Sequence, residues 1–138
     1  FFAKLHPMIV HFPVGLLISG VVFEIYGALR NDEVAETAGR YNIRFGLWFL
    51  FPVLLVGFLG MISLENTEEF KDFLSSHLTF ALCTAGLFFL AMLVSRYLRQ
   101  PLGRALYFII IGVGGICLLT TGYFGGELVH RFGVSTHQ

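Results

Sequence analysis

Five histidines are the residues of this chain best suited to chemistry: His6, His11, His77, His130 and His137. Imidazole is a common ligand to metals and to haem iron. His6 and His11 stand at the opening of the first hydrophobic run and His77 at the opening of the third. His130 and His137 follow the close of the fourth. If the runs cross a membrane in succession, all five imidazoles fall at one of its faces. Ionisable groups near bilayer depth are costly and are kept for a task. The pattern predicts an iron cofactor held near one membrane surface.

The elements that must position these side chains are helices. Of 138 residues, 56% are hydrophobic and 13% charged, against about 25% charged in soluble domains. A bilayer core takes about 20 apolar residues per helix. Runs 8–29, 41–64, 76–98 and 105–129 meet that requirement, with His11 and Glu24 interrupting the first. Connections 30–40, 65–75 and 99–104 are short, so sequential helices should be antiparallel neighbours. The expected fold is all-α, a single domain over 1–138 built as an integral membrane up-down-up-down four-helix bundle. A soluble bundle needs a polar outer face on each helix, and the stretch 47–62 has no charge on any face.

Formal net charge is zero, which gives no reason to expect nucleic acid. Arg30, Arg40, Arg44, Arg96, Arg99 and Arg104 flank one side of the expected membrane, and Lys4, Lys71 and Arg131 the other. The positive-inside rule places the arginine-rich loops in the cytoplasm. A multi-pass membrane protein follows, with both termini and the histidines facing the periplasm or cell exterior. The acidic group Glu65, Glu68, Glu69 and Asp72 shares that side and reads as a solvated loop, or less simply as a dock for a basic partner. No cleavable signal peptide is visible. Cys83 and Cys117 fall in mid-span, and there is no C-x-x-C-H motif for covalent haem attachment.

Residues four apart share a helix face. Below His11 that row reads Gly15, Ser19; below His77, Ala81, Ala85; behind His130, Gly126, Gly122. Small residues pack helices closely, but three such rows each ending in histidine also leave clearance for a flat macrocycle. His6 and His11 are about 140° apart on an ideal helix and do not share a face. His11, the deeper, is the better ligand candidate. Pro7 suits a first helical turn, which would leave His6 just outside the helix, and Pro13 would kink it. Met8 is expected to pack. Glu127 and His130 form a single Glu-x-x-His pair, where a carboxylate-bridged di-iron bundle needs two and further glutamates. Glu127 could instead orient an imidazole or sit at the interface. Arg131, beside Tyr123, could pair with haem carboxylates or anchor the helix end. His137 reads as a solvated tail residue.

The stretch from Leu5 to Leu17, with His6, Pro7, Val10, His11, Phe12 and Pro13 in place, resembles the opening of a bacterial membrane family catalogued as domain of unknown function 2231. His77 matches a histidine at the start of that family's third span. Gly125, Gly126, Leu128, Val129, Gly133 and Val134 match its closing motif. The chain departs from the expected pattern with His130 in place of Tyr and Phe132 in place of His, which makes His130 a less secure ligand than His11 or His77. The resemblance implies a four-helix membrane protein, some relatives being fused or adjacent to c-type cytochromes, and with it b-type haem and respiratory electron transfer.

The resulting expectation is an electron carrier or accessory subunit rather than a stand-alone enzyme. It would hold haem b with His11 and His77 as the leading axial pair. His130 and His6 would be alternates or ligands to a second haem, with Gly15, Gly122, Gly126 and Arg131 around the macrocycle. Partners would be membrane lipid, other membrane or c-type cytochrome subunits, and quinone. The rival readings are a haem-free structural subunit and a transition-metal site of His11, His77, His130 and Glu127.

Overall fold

The computed structural model describes residues 2–61, 67–98 and 100–132, and their side chains apart from those of 2–5 and 61. Expectations for Lys4, Glu65, Arg99, Gly133, Val134 and His137 therefore lie outside the side chains described. Four helices follow in order: α1 (Phe2–Arg30), α2 (Glu33–Met61), α3 (Glu68–Tyr97) and α4 (Pro101–His130). All four are long and apolar enough to cross a membrane. The fold is the expected all-α, four-helix membrane bundle.

The helices outrun the apolar stretches, because polar residues extend each one beyond the hydrocarbon. The expected connection at 30–40 shrinks to Asn31 and Asp32. Asn31 takes a left-handed conformation (φ 52°), which asparagine tolerates. The Asp32 N–H donates 2.9 Å to the Gly27 carbonyl, closing α1 with a Schellman turn. The Asp32 carboxylate then accepts from the Val34 and Ala35 N–H groups at 3.0 and 3.1 Å, capping α2. At the other turns, Thr67 caps α3 by accepting from the Phe70 N–H at 3.3 Å, and Pro101 opens α4. One expectation is corrected here. Helix α1 begins at Phe2, so Pro7 is inside it and His6 is a helical residue.

Packing is dense within α1–α2 and within α3–α4, and sparse between these two hairpins. Large apolar residues such as Trp48, Leu29 and Phe58 point outward, as they would toward lipid. Lipid tails are as apolar as leucine, so burial alone cannot hold such helices together; close van der Waals fit must. Glycine supplies it. A Cβ on Gly20 would stand 2.7 Å from Ile43, and one on Gly46 would stand 2.8 Å from Leu17. Leu17, Ile43, Leu47, Leu50, Phe88, Ile111 and Leu118 fill the middle of the bundle.

The second hairpin repeats the first. At an offset of 71 residues (6 to 77), α1 and α3 place His6 with His77, Pro13 with Thr84, Leu17 with Phe88 and Gly20 with Ala91. All of these pairs are buried except the histidines, which are half-buried. At an offset of 68 (57 to 125), α2 and α4 place Ile43 with Ile111, Gly46 with Gly114, Leu50 with Leu118 and Gly57 with Gly125. Gly46 lies against Leu17, and Gly114 lies against Phe88 in the same way. The helices α1 and α3 are thus diagonal equivalents, each flanked by α2 and α4. Parallel repeats of this kind are related by an axis along the membrane normal.

Gly39 and Gly15 distinguish packing from clearance. A Cβ on Gly39 would meet the Glu24 backbone nitrogen at 2.8 Å, whereas one on Gly15 meets nothing. Gly39→Ala should destabilise the bundle by about 1–3 kcal/mol through overpacking, while Gly15→Ala should be neutral or stabilise by up to about 1 kcal/mol. Unfolding in detergent, followed by circular dichroism, checks the contrast.

Candidate functional site

The histidine end of the bundle is built on one local device used twice. In the second turn of α1, the His6 Nδ1 lies 3.0 Å from the Val53 carbonyl of α2. In α3, the His77 Nδ1 lies 3.0 Å from the Thr121 carbonyl of α4. Each carbonyl also has, four residues on, the helical N–H that ordinarily pairs with it; those residues are Gly57 and Gly125. The glycines let the rings approach. A Cβ on Gly57 would fall 2.8 Å from the His6 ring, and one on Gly125 would fall 3.2 Å from the His77 ring.

A carbonyl oxygen only accepts, so in each bond the Nδ1 carries the hydrogen and donates it. The neutral ring then keeps its lone pair on Nε2. Metal-ligating histidines almost always have this arrangement, the second nitrogen being held by a backbone carbonyl or carboxylate. The two rings stand with centroids 6.3 Å apart and planes at 89°. An ion about 2.0–2.1 Å from each of two opposed imidazole nitrogens, each roughly 1.1 Å from its ring centre, needs a centroid separation of about 6.3 Å. The spacing of His6 and His77 fits a cofactor ligated by both.

A cavity of about 350 Å³ surrounds the pair, walled mainly by apolar side chains of all four helices, among them Val10, Leu54, Leu78 and Leu118. Gly122 and Gly126 belong to this wall, and a Cβ on either would meet nothing within 4 Å. That is the clearance expected of the row behind His130. Ala81 below His77 also lines the cavity.

Several expected members stand elsewhere. Of the expected imidazoles, His6 and His77 are the two whose rings the structure sets close together, because His6 faces inward from α1. His11, a little over a third of a turn away around the helix, is exposed and also lines the cavity. His130 lines the cavity from an equally exposed position. Gly15 is exposed and outside the wall, and Ser19 on the same row accepts from the Asn42 side chain of α2 at 3.1 Å. Arg131 is held away by an ion pair with Glu69 and lies over the Phe73 ring at 5.3 Å. Met8 is 73% exposed. Among the described residues, no three His, Cys, Asp or Glu side chains gather as a metal-holding group. A cluster of His11, His77, His130 and Glu127 is therefore not assembled here.

Val53, Gly57, Thr121 and Gly125 were not candidates on sequence grounds. Their signal is a recurrence: a glycine four residues after the accepting carbonyl in α2 and in α4.

The family model described as a predicted membrane protein (DUF2231) matches residues 3–138. No curated protein and no solved structure matches the chain.

If the tautomers are fixed as drawn, histidine-selective ¹⁵N NMR of the detergent-solubilised protein should show two of the five side chains protonated on Nδ1. Gly57→Ala should shift the His6 signal and leave that of His77 largely in place. Protonation on Nε2 throughout would overturn the assignment.

Proposed function

We propose that this chain, which belongs to the DUF2231 family of predicted membrane proteins, is a small b-type cytochrome that holds one haem b between His6 and His77 and carries single electrons. The observation that carries this reading is the duplicated anchoring. Two equivalent helices each present one imidazole toward the middle of the bundle, each fixed through Nδ1 to a backbone carbonyl, at a separation suited to shared ligation.

Each part of the site has a definable task. The Val53 and Thr121 carbonyls hold the rings in register and raise the basicity of Nε2. Gly122 and Gly126 leave a slot in α4 for a flat group. The apolar wall keeps water from the iron and so bears on its potential. A haem with two imidazole ligands supplies a one-electron couple with no open iron position for oxygen. This reading takes one haem, since among the described residues His6 and His77 are the imidazole rings in contact with each other.

The positive-inside rule, applied to Arg30, Arg40, Arg44, Arg96 and Arg104, orients the site toward the periplasmic side of a bacterial inner membrane. Electrons would be exchanged there with a c-type cytochrome, a neighbouring membrane subunit or a quinone. The lateral surface of Trp48, Phe49, Phe58 and Leu119 would meet lipid.

Purified protein should show a b-type reduced-minus-oxidised spectrum and about one haem per chain by pyridine haemochrome. His6→Ala and His77→Ala should each remove the spectrum, while His11→Ala and His130→Ala should retain it. Less than about a tenth of an equivalent in the unaltered protein would instead identify a haem-free structural subunit. Retention of haem by both the His6 and the His77 variants would overturn the ligand assignment.

A further inference from the structure

The end of the bundle opposite the histidines holds a second cavity, of about 390 Å³, lined by Glu24, Glu36, Arg40, Arg44, Arg104 and Tyr107 among others. Glu24 lies 18 residues beyond His6 on α1, about 27 Å at 1.5 Å per residue, so the cytochrome reading leaves it without a role. Its side chain is 1% exposed, and neither carboxylate oxygen makes a hydrogen bond of good geometry, although the Tyr107 hydroxyl of α4 lies beside it. The nearest cation, the Arg40 guanidinium, stands 3.9 Å away and is closer to Glu36, at 3.3 Å. Glu36 also takes Arg104 at 2.7 Å.

A carboxylate offers about four acceptor sites, so the one Tyr107 hydroxyl leaves most of the buried Glu24 unserved, which is costly enough that folds ordinarily add partners. The repeat also breaks here: the positions equivalent to Glu24 and Glu36 are Ser95 and Arg104. The two hairpins agree around the histidines and diverge around this cavity, so its polar groups are not a by-product of the duplication.

The side chains define what could fill it. Glu24 and Glu36 face three guanidiniums, which leaves a net positive charge with both carboxylates ionised. The occupant should therefore be an anion, and it must also bring a donor to Glu24. An ammonium donor would be repelled by three arginines, whereas a hydroxyl would not. The helix ends place the cavity at headgroup level, and basic pockets between membrane helices are sites for lipid headgroups.

We propose that this cavity binds a phosphate group that also carries free hydroxyls, as a glycerol-headed anionic phospholipid does. The phosphate lies against Arg44 and Arg104, and a hydroxyl donates to Glu24. The site is independent of the haem.

The protein in phosphatidylcholine nanodiscs, offered trace phosphatidylglycerol or phosphatidic acid, should retain the former about tenfold better by native mass spectrometry, roughly one charge-assisted hydrogen bond. Glu24→Gln should abolish that preference. Arg44→Ala, at an exposed position, should lower retention of both lipids about tenfold. Displacement of the bound lipid by millimolar glycerol 3-phosphate would assign the same chemistry to a soluble ligand; failure to displace assigns it to the lipid. Equal retention of the two lipids by the unaltered protein, or no loss with Arg44→Ala, overturns the proposal even if the Glu24 variant fails to fold.

Discussion

A polar group in hydrocarbon must find its partner inside the protein, because no water is there to serve it. The imidazoles of His6 and His77 meet that demand by donating across each hairpin to the Val53 and Thr121 carbonyls. Most features of this end of the bundle follow. The donor nitrogen fixes the tautomer, and the tautomer fixes which nitrogen stays bare. Gly57 leaves the His6 ring room that a Cβ would take, and Gly125 eases the approach of His77 in the same way with less crowding.

The same constraint explains why the hairpins, and not the single helices, are the units of this fold. Within each hairpin, glycines admit the partner's Leu17 or Phe88 and its histidine, so van der Waals contact and one polar tie coincide. Between hairpins the packing is loose, and the looseness is what opens the apolar cavity around the histidine pair. A bundle packed equally well on all sides would have nowhere to hold a cofactor. At the opposite end, Glu24 has the Tyr107 hydroxyl beside it but no bond of comparable geometry, and the arginines gathered near it answer for charge more than for hydrogen bonding.

Internal duplication was hard to read from the chain because the constraint acts on size and backbone approach rather than on identity. Leu17 and Phe88 share a role without sharing chemistry, as do Pro13 and Thr84. The offsets of 71 and 68 differ because the turns differ in length, which blurs any simple self-comparison. Only the recurrence of histidine, bulky core residue and partner glycine at matched depths exposes the relation.

Hydropathy determined the class, the number of spans and the gathering of His6, His11, His77 and His130 at one end, because those depend on local composition and on the parity of crossings. The four-residue row behind His130 pointed to Gly122 and Gly126, which line the histidine cavity. The inward turn of His6, the diversion of Arg131 to Glu69, and the burial of Glu24 were decided by tertiary structure. Each depends on which way a helix is rotated about its own axis, and that rotation is set by contacts with a partner helix: close glycine approaches and, for the histidines, hydrogen bonds to carbonyls 47 and 44 residues away in the chain. Local sequence carries the depth of a residue in the membrane; only packing supplies its azimuth.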